Sequence, residues 1–242
     1  MTYTTKISLI PRCLRRGSSL EGIFMKVNTI LNTASHRELE QLENKTRLLL
    51  VRHGELVTSR EWRYVGHLDV ELNEAGIEQM QRAGERLKSE QIDVLLSSDL
   101  KRTRKGAEII GTMLGLTPQS HREFREISLG QWEGLTRDEI AAQFPEDFEE
   151  RSKDLPHYRI KNGESFADLK KRVIKKLEQT LEEHQGKRIA LIAHGGVNRI
   201  ILTHVLGMDL SNLTRLDQAY GCLNIIDYFD GMPVVRLVNS TP

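Results

Sequence analysis

Apolar residues gather in three short, nearly uninterrupted runs, Arg47 to Val51, Asp93 to Leu96 and Ile189 to Ala193. Runs of this length without polar alternation are expected of parallel strands covered on both faces. Between them the apolar spacing changes to the helical period. Asn73 is placed to cap a helix that carries Ile77, Met80, Ala83 and Leu87 on one side. A second helix is predicted from about Leu100 to Leu114, stopped by Gly115 and Pro118. Thr136 and Glu139 have capping-box spacing, Leu135 and Ile140 form a staple, and Pro145 is read as ending that element. Ser165 opens a long helix with Leu169, Val173, Leu177 and Leu181 inward, closed near Gly186, and Val197 to Leu206 makes another. Leu223–Phe229 and Val234–Val238 flank Asp230-Gly231, a hairpin signal. The pattern predicts an α/β fold: a three-layer α/β/α sandwich with a mostly parallel sheet and an antiparallel edge strand.

Residues 1–46 stand outside this pattern. They hold Arg12, Arg15, Arg16 and Lys26, few acids, and no sustained period before about residue 35. They are read as an N-terminal extension, disordered or partly helical around residues 35–45. A targeting segment and a start at Met25 are the alternatives. Residues 47–242 are read as one domain.

Composition narrows the setting. Of 242 residues 38% are apolar and the net charge is +1, which excludes nucleic-acid binding driven by bulk charge. The two cysteines, Cys13 and Cys222, form no metal-type pair and suggest no disulfide framework, so a reducing, cytoplasmic setting is expected. No apolar run reaches the length of a membrane span.

The residues just past each strand carry the chemistry. The first strand ends in Arg52-His53-Gly54-Glu55, the second in Ser97-Ser98-Asp99-Leu100-Lys101-Arg102, and the third in His194-Gly195-Gly196. Ligands of open parallel sheets bind outside the carboxyl ends of the strands. Two histidines and two arginines should therefore converge on one crevice, joined by the N-terminal amides of the helix beginning near Gly196. Arginine forks match phosphate oxygens, and a neutral imidazole can attack phosphorus while a protonated second histidine and the arginines hold the charge. An acid must then protonate the leaving alkoxide, and Glu126 is the candidate. A lone histidine at a strand end is ordinarily structural; it is the coincidence of these features that points to a phosphoryl group. None of the eight histidines has a metal-ligand spacing, so no metal and no cofactor are expected.

With Arg52-His53-Gly54-Glu55, Ser97-Ser98-Asp99-Leu100-x-Arg102, Arg125-Glu126-x-x-x-Gly130-x-Trp132-Glu133-Gly134 and Ala193-His194-Gly195-Gly196, the chain resembles the histidine phosphatase superfamily, also called phosphoglycerate mutase-like, over roughly residues 47 to 240. The resemblance implies that His53 is transiently phosphorylated, that Arg52, Arg102 and His194 clamp the phosphate, and that Glu126 serves as acid and then as base for water. Implied substrate contacts are Arg52, Ser59, Gly66, Arg102, His194 and the backbone of Gly195. The chain departs from the family pattern at Leu56 and Ser59, where many members have Thr and Asn. The interval from Glu126 to His194 lacks the longer insertion of the mutases, which favours hydrolysis over transfer back to product. Among phosphatases the chain looks most like the α-ribazole phosphatases of cobalamin assembly; a cofactor-dependent phosphoglycerate mutase and a catalytically silent phospho-ligand-binding module are the alternatives. Residues 136–162, with Tyr158, Arg159 and Lys161, are where a substrate-selecting cap should sit. The expected partner is a small phosphorylated metabolite, without nucleic acid or membrane, bound by a monomer or homodimer.

Overall fold

The computed structural model describes residues 45–229 and 232–241. Its central sheet has six strands in the order β3-β2-β4-β1-β5-β6, namely β1 (Lys45–Arg52), β2 (Val94–Ser97), β3 (Gln119–Ser120), β4 (Arg188–Ala193), β5 (Leu223–Phe229) and β6 (Met232–Ser240). Strands β3, β2, β4 and β1 are parallel, whereas β5 runs antiparallel to β1 and pairs antiparallel with β6. The expected three-layer sandwich is present, and the expected terminal hairpin strands, β5 and β6, form its antiparallel edge. The Asp230-Gly231 turn and the helix expected around residues 35–45 lie outside the described residues, apart from Lys45, which is in β1.

Strand β1 shows how the layers arise. Successive side chains of a strand point to opposite faces. Leu48 and Leu50 therefore join one core cluster and Leu49 and Val51 the other, all four fully buried. The Leu49 face is covered by α1 (Glu74–Lys88) and α2 (Lys101–Leu114), through Met80, Leu87, Ala107 and Ile110. The Leu48 face is covered by α5 (Phe166–Glu183) and α6 (Gly195–Val205), through Val173, Leu177, Val197 and Ile201.

Helix ends agree closely with the sequence signals. The Asn73 side chain accepts from the Gly76 amide, and Gly115 takes the left-handed conformation that stops α2. Capping boxes open α3 (Arg137–Gln143) at Thr136 and α5 at Ser165. Pro145 ends α3 as expected, but it also opens α4 (Pro145–Lys153). Proline is tolerated at the first helical position because the amide it lacks has no intrahelical acceptor there. No helix among the described residues is long and apolar enough to cross a membrane.

The register fixes where the chemistry lies. Arg52 pairs with Ala193, and Ser97 with Ile192, so three strands end nearly level. His53, Ser98 and His194 come directly after them and emerge along one edge. Gly54 and Gly76 permit a close backbone approach there: a Cβ on Gly54 would overlap the Gly76 carbonyl, and one on Gly76 the Glu55 carbonyl.

Candidate active site

His53 is 4% exposed, and its Nδ1 lies 2.7 Å from the carbonyl oxygen of Gly54. A carbonyl only accepts, so Nδ1 carries the proton and Nε2 keeps its lone pair. Burial, with Arg102 and Arg52 nearby, pushes the imidazole pKa well below its ordinary value. His53 is thus neutral where an exposed histidine would be half protonated. Its ring meets those of His194 and Tyr220 at centroid distances of 5.2 and 5.6 Å.

Arg102, the second residue of α2, is 1% exposed. Its guanidinium donates to Gly66 O (2.7 Å), Leu68 O (2.8 Å) and His194 Nδ1 (3.2 Å). Those bonds use three of its five N–H groups. Burial lowers its pKa to about 10, which leaves it charged at neutral pH. Gly66, expected to touch substrate, here holds the arginine through its carbonyl.

His194 differs from expectation in its charge. Its Nδ1 accepts from Arg102, and its Nε2 lies 2.9 Å from Ser98 Oγ. An acceptor nitrogen has no proton, and burial together with Arg102 lowers the pKa well below the ordinary value. The histidine expected to be protonated is therefore neutral, because the cation beside it and the loss of water both disfavour a second positive charge.

Arg52 ends β1. One of its Nη atoms donates to Gln218 O, and its guanidinium carbon lies 4.0 Å from the centre of the Tyr220 ring. Its Nε is buried and has no hydrogen-bond partner among the described residues. A buried unsatisfied donor is uncommon and calls for an acceptor from outside. Gly195 adjoins it: a Cβ on Gly195 would stand 3.4 Å from that Nε.

Glu126 reaches the same edge from the loop between β3 and α3. Its Oε1 accepts from the Ile127 amide (2.8 Å) and its Oε2 from the Gly196 amide (2.9 Å) at the start of α6. One of the helix amides expected to receive phosphate is thus taken by this carboxylate, as the attraction of anions to helix N-termini dictates. Gly196 leaves room for this contact, since a Cβ there would displace the Glu126 carboxylate.

The loop that carries Glu126 is clamped by Arg172, which no sequence pattern singles out, and by Arg125 and Asp99, which lie in the motifs above. Arg172 donates to the carbonyls of Glu123, Arg125 and Glu126, and forms a two-point pair with Glu164 at 2.7 and 2.8 Å. Arg125 makes a similar pair with Asp99 after β2, at 2.6 and 2.7 Å. Glu164, which directly precedes the Ser165 helix start, also accepts from the Ser128 amide.

Ser59 does not point its hydroxyl into free space: it donates to Glu55 Oε1 at 2.5 Å. Leu56 is buried, pairs with Leu72 across a β-bridge and belongs to the core. In the segment expected to form a cap, Tyr158 donates to Asp147 and Arg159 to Asp168. The sheet edge therefore brings together His53, Arg52, Arg102, His194 and the Glu126 carboxylate, with Gly66 behind Arg102 and Ser59 on Glu55. Among the described residues no group of three His, Cys, Asp or Glu side chains is clustered to hold a metal ion.

Residues 48–241 match the histidine phosphatase superfamily (branch 1). The chain belongs to that superfamily. This histidine phosphatase is 41% identical over 155 residues to phosphoglycerate mutase-like protein 4 of Arabidopsis thaliana, covering 63% of this chain and 67% of the relative. It is 32% identical over 178 residues to phosphoserine phosphatase 1 of Hydrogenobacter thermophilus, covering 74% and 82%. Among solved structures it resembles the alpha-ribazole phosphatase of Shigella flexneri, with a TM-score of 0.75, 27% identity, and coverage of 80% and 96%. The superfamily and its phosphatase-named members identify the histidine phosphatase described here as a phosphatase enzyme.

Proposed function

We propose that the enzyme hydrolyses a small phosphomonoester through a phosphohistidine formed on His53, without a metal ion. The observation that carries this reading is the state of His53: a neutral ring whose Nδ1 proton is committed to Gly54 O, set beside two arginines that make no ion pair among the described residues. Nε2 attacks phosphorus, the ester P–O bond breaks, and Glu126, which takes up a proton as the phosphate anion binds beside it, gives that proton to the leaving oxygen. Arg52 and Arg102 take the charge on the equatorial oxygens, which is the main demand of phosphoryl transfer. Glu126, now a carboxylate, takes a proton from water; the water oxygen attacks phosphorus, the P–Nε2 bond breaks, and inorganic phosphate leaves. His194 starts neutral with its proton on Nε2, and an incoming phosphate dianion favours the doubly protonated ring.

The substrate proposal is broader than any relative's name. Alpha-ribazole 5′-phosphate in a cobalamin pathway, phosphoserine and phosphoglycerate all belong in the panel to be assayed, and a cytoplasmic enzyme acting on a small metabolite fits the charge balance and cysteine usage. The short interval between Glu126 and His194 favours net phosphate release over isomerisation. Isomerisation of phosphoglycerate with little phosphate released would replace this reading with a mutase.

The role of Glu126 gives a sharp test, to be run in excess chelator. Glu126→Gln should lower kcat/KM for an alkyl phosphate by roughly 10²- to 10⁴-fold, the usual worth of a positioned general acid. An aryl phosphate needs little protonation of its leaving group. The variant should therefore still release one equivalent of nitrophenolate from nitrophenyl phosphate in a burst and then stall, because no base activates water. Equal loss on both substrates with no burst would remove Glu126 from the proton-transfer role. Complete inhibition of the unaltered enzyme by chelator would contradict the metal-independent reading.

A further inference from the structure

A third arginine approaches Gly195 beside Arg52 and has no part in the chemistry above. Arg199 lies four residues after Gly195, one turn further on the same face of α6. Gly195 has no side chain, and two guanidinium groups approach the space a Cβ would fill. Arg199 Nη1 and Arg52 Nε each stand 3.4 Å from that point. Arg199 donates through Nε to Leu216 O at 2.7 Å, and its terminal nitrogens have no hydrogen-bond partner among the described residues.

Three arginines, Arg52, Arg102 and Arg199, thus line one crevice, and none forms an ion pair among the described residues. Arg102 is buried and the other two half-buried. Glu126 and Asp217 act on Arg199 only at longer range, and partial burial, with the repulsion from Arg52, lowers its pKa. Like charges held this close out of water are costly unless an anion joins them. A phosphate dianion answers Arg52 and Arg102. Arg199 is left at the side of that phosphate site, its Nη groups without a hydrogen-bond partner among the described residues.

We infer that Arg199 selects substrates with a second anionic group, a carboxylate or another phosphate, one or two bonds from the ester carbon. The inference rests on the phosphate site read above and narrows it. An arginine with its Nε anchored on a backbone carbonyl presents both Nη groups as a fork, which suits a carboxylate.

The test uses two probes of equal length, phosphoglycolate and ethyl phosphate, which differ by the carboxylate. Their dissociation constants are measured by calorimetry in His53→Ala protein, where binding proceeds without turnover. Phosphoglycolate should bind roughly ten- to a hundredfold more tightly, the range for hydrogen bonds to a charged group. Adding Arg199→Met should bring the ratio close to one, and Arg199→Lys should restore most of it. A ratio near one before Arg199 is touched overturns the inference. So does a parallel loss of both affinities in Arg199→Met, because an arginine that merely anchors Leu216 would weaken both probes alike. Failure of the phosphatase reading has a different signature: no phosphate ester is turned over by unaltered enzyme, yet the affinity ratio and its dependence on Arg199 persist.

Discussion

His53→Ala should lower phosphatase kcat/KM by at least about 10⁴-fold while the protein remains folded. Removing a nucleophile eliminates the covalent route, and what remains is the help that binding and charge stabilisation give to direct attack by water. The fold should tolerate the change because His53 makes one side-chain hydrogen bond, to Gly54 O, and packs by ring edges against His194 and Tyr220. Loss of a buried neutral ring also removes a group that must charge as the pH falls. The unfolded chain binds that proton near pH 6.5 and the native state only well below it. His53 therefore contributes stability above the unfolded pKa that is lost as pH falls toward the native one. The alanine variant should show a smaller loss of stability between about pH 6.5 and 5 than the unaltered enzyme. Steady-state rates and thermal melts across that window check both parts. Retention of more than a few per cent of activity would remove His53 from the nucleophile's role.

Arg102→Leu should abolish most activity for a different reason. The side chain is a buried cation that donates to Gly66 O, Leu68 O and His194 Nδ1 at once. Leucine leaves three acceptors without their donor, at about 1–3 kcal/mol each before relaxation. It also relieves the desolvation of a buried charge, so the net loss of stability should be smaller than that sum. Activity has no such offset. Phosphate loses a fixed positive charge, and His194 loses the group that orients its ring, so kcat/KM should fall by roughly 10³-fold or more. Arg102→Lys should recover little, because a single ammonium cannot span three acceptors set around a planar fork. Comparing kcat/KM and chemical denaturation for the two variants tests this. A lysine variant with near-normal turnover would show that charge alone suffices and that the three-point fixation is irrelevant.

Much of this architecture is legible in the sequence because local rules and global fold agree. The run Arg47 to Val51 reads as a strand since its residues are apolar on both faces, and each of the three runs leads into chemistry at the edge where ligands bind. Lys45 and Thr46 do not read as strand because they are polar, yet Thr46 is buried and its hydroxyl accepts from the Gly186 amide. Helix α4 escapes the pattern because Pro145 signals a stop from one side and a start from the other. Within the site, Arg52, His53, Arg102 and His194 sit at strand and helix ends, where sequence position translates directly into place. Arg172 and Gln218 do not. They act on Glu126 and Arg52 across long stretches of chain, through backbone carbonyls that any residue supplies, so no residue pattern marks them. Arg199 is the intermediate case, since its spacing from Gly195 is visible but its approach to Arg52 needs the fold. The charge of His194 is not legible because burial and a neighbouring cation are tertiary facts.

Gln218 illustrates how far the support for the site extends. Its carbonyl receives Arg52, while its side chain bonds Asn198 and Asn224, and Asn239 near the end of β6 ties down Ala219 and Asp217. The antiparallel pair at the sheet edge thus fixes the loop that stacks Tyr220 on Arg52.

The central claim is that phosphate passes through His53, and chemical trapping of the enzyme during turnover tests it most directly. Glu126→Gln protein mixed with excess nitrophenyl phosphate, quenched in alkali within milliseconds to seconds and digested, should yield a phosphorylated peptide containing His53. The phosphate should be stable in base and lost in acid, as a phosphoramidate is, at close to one equivalent per chain, and absent when His53→Ala is added. A full burst of nitrophenolate with no phosphorylated peptide, or phosphate on any other residue, would contradict the account.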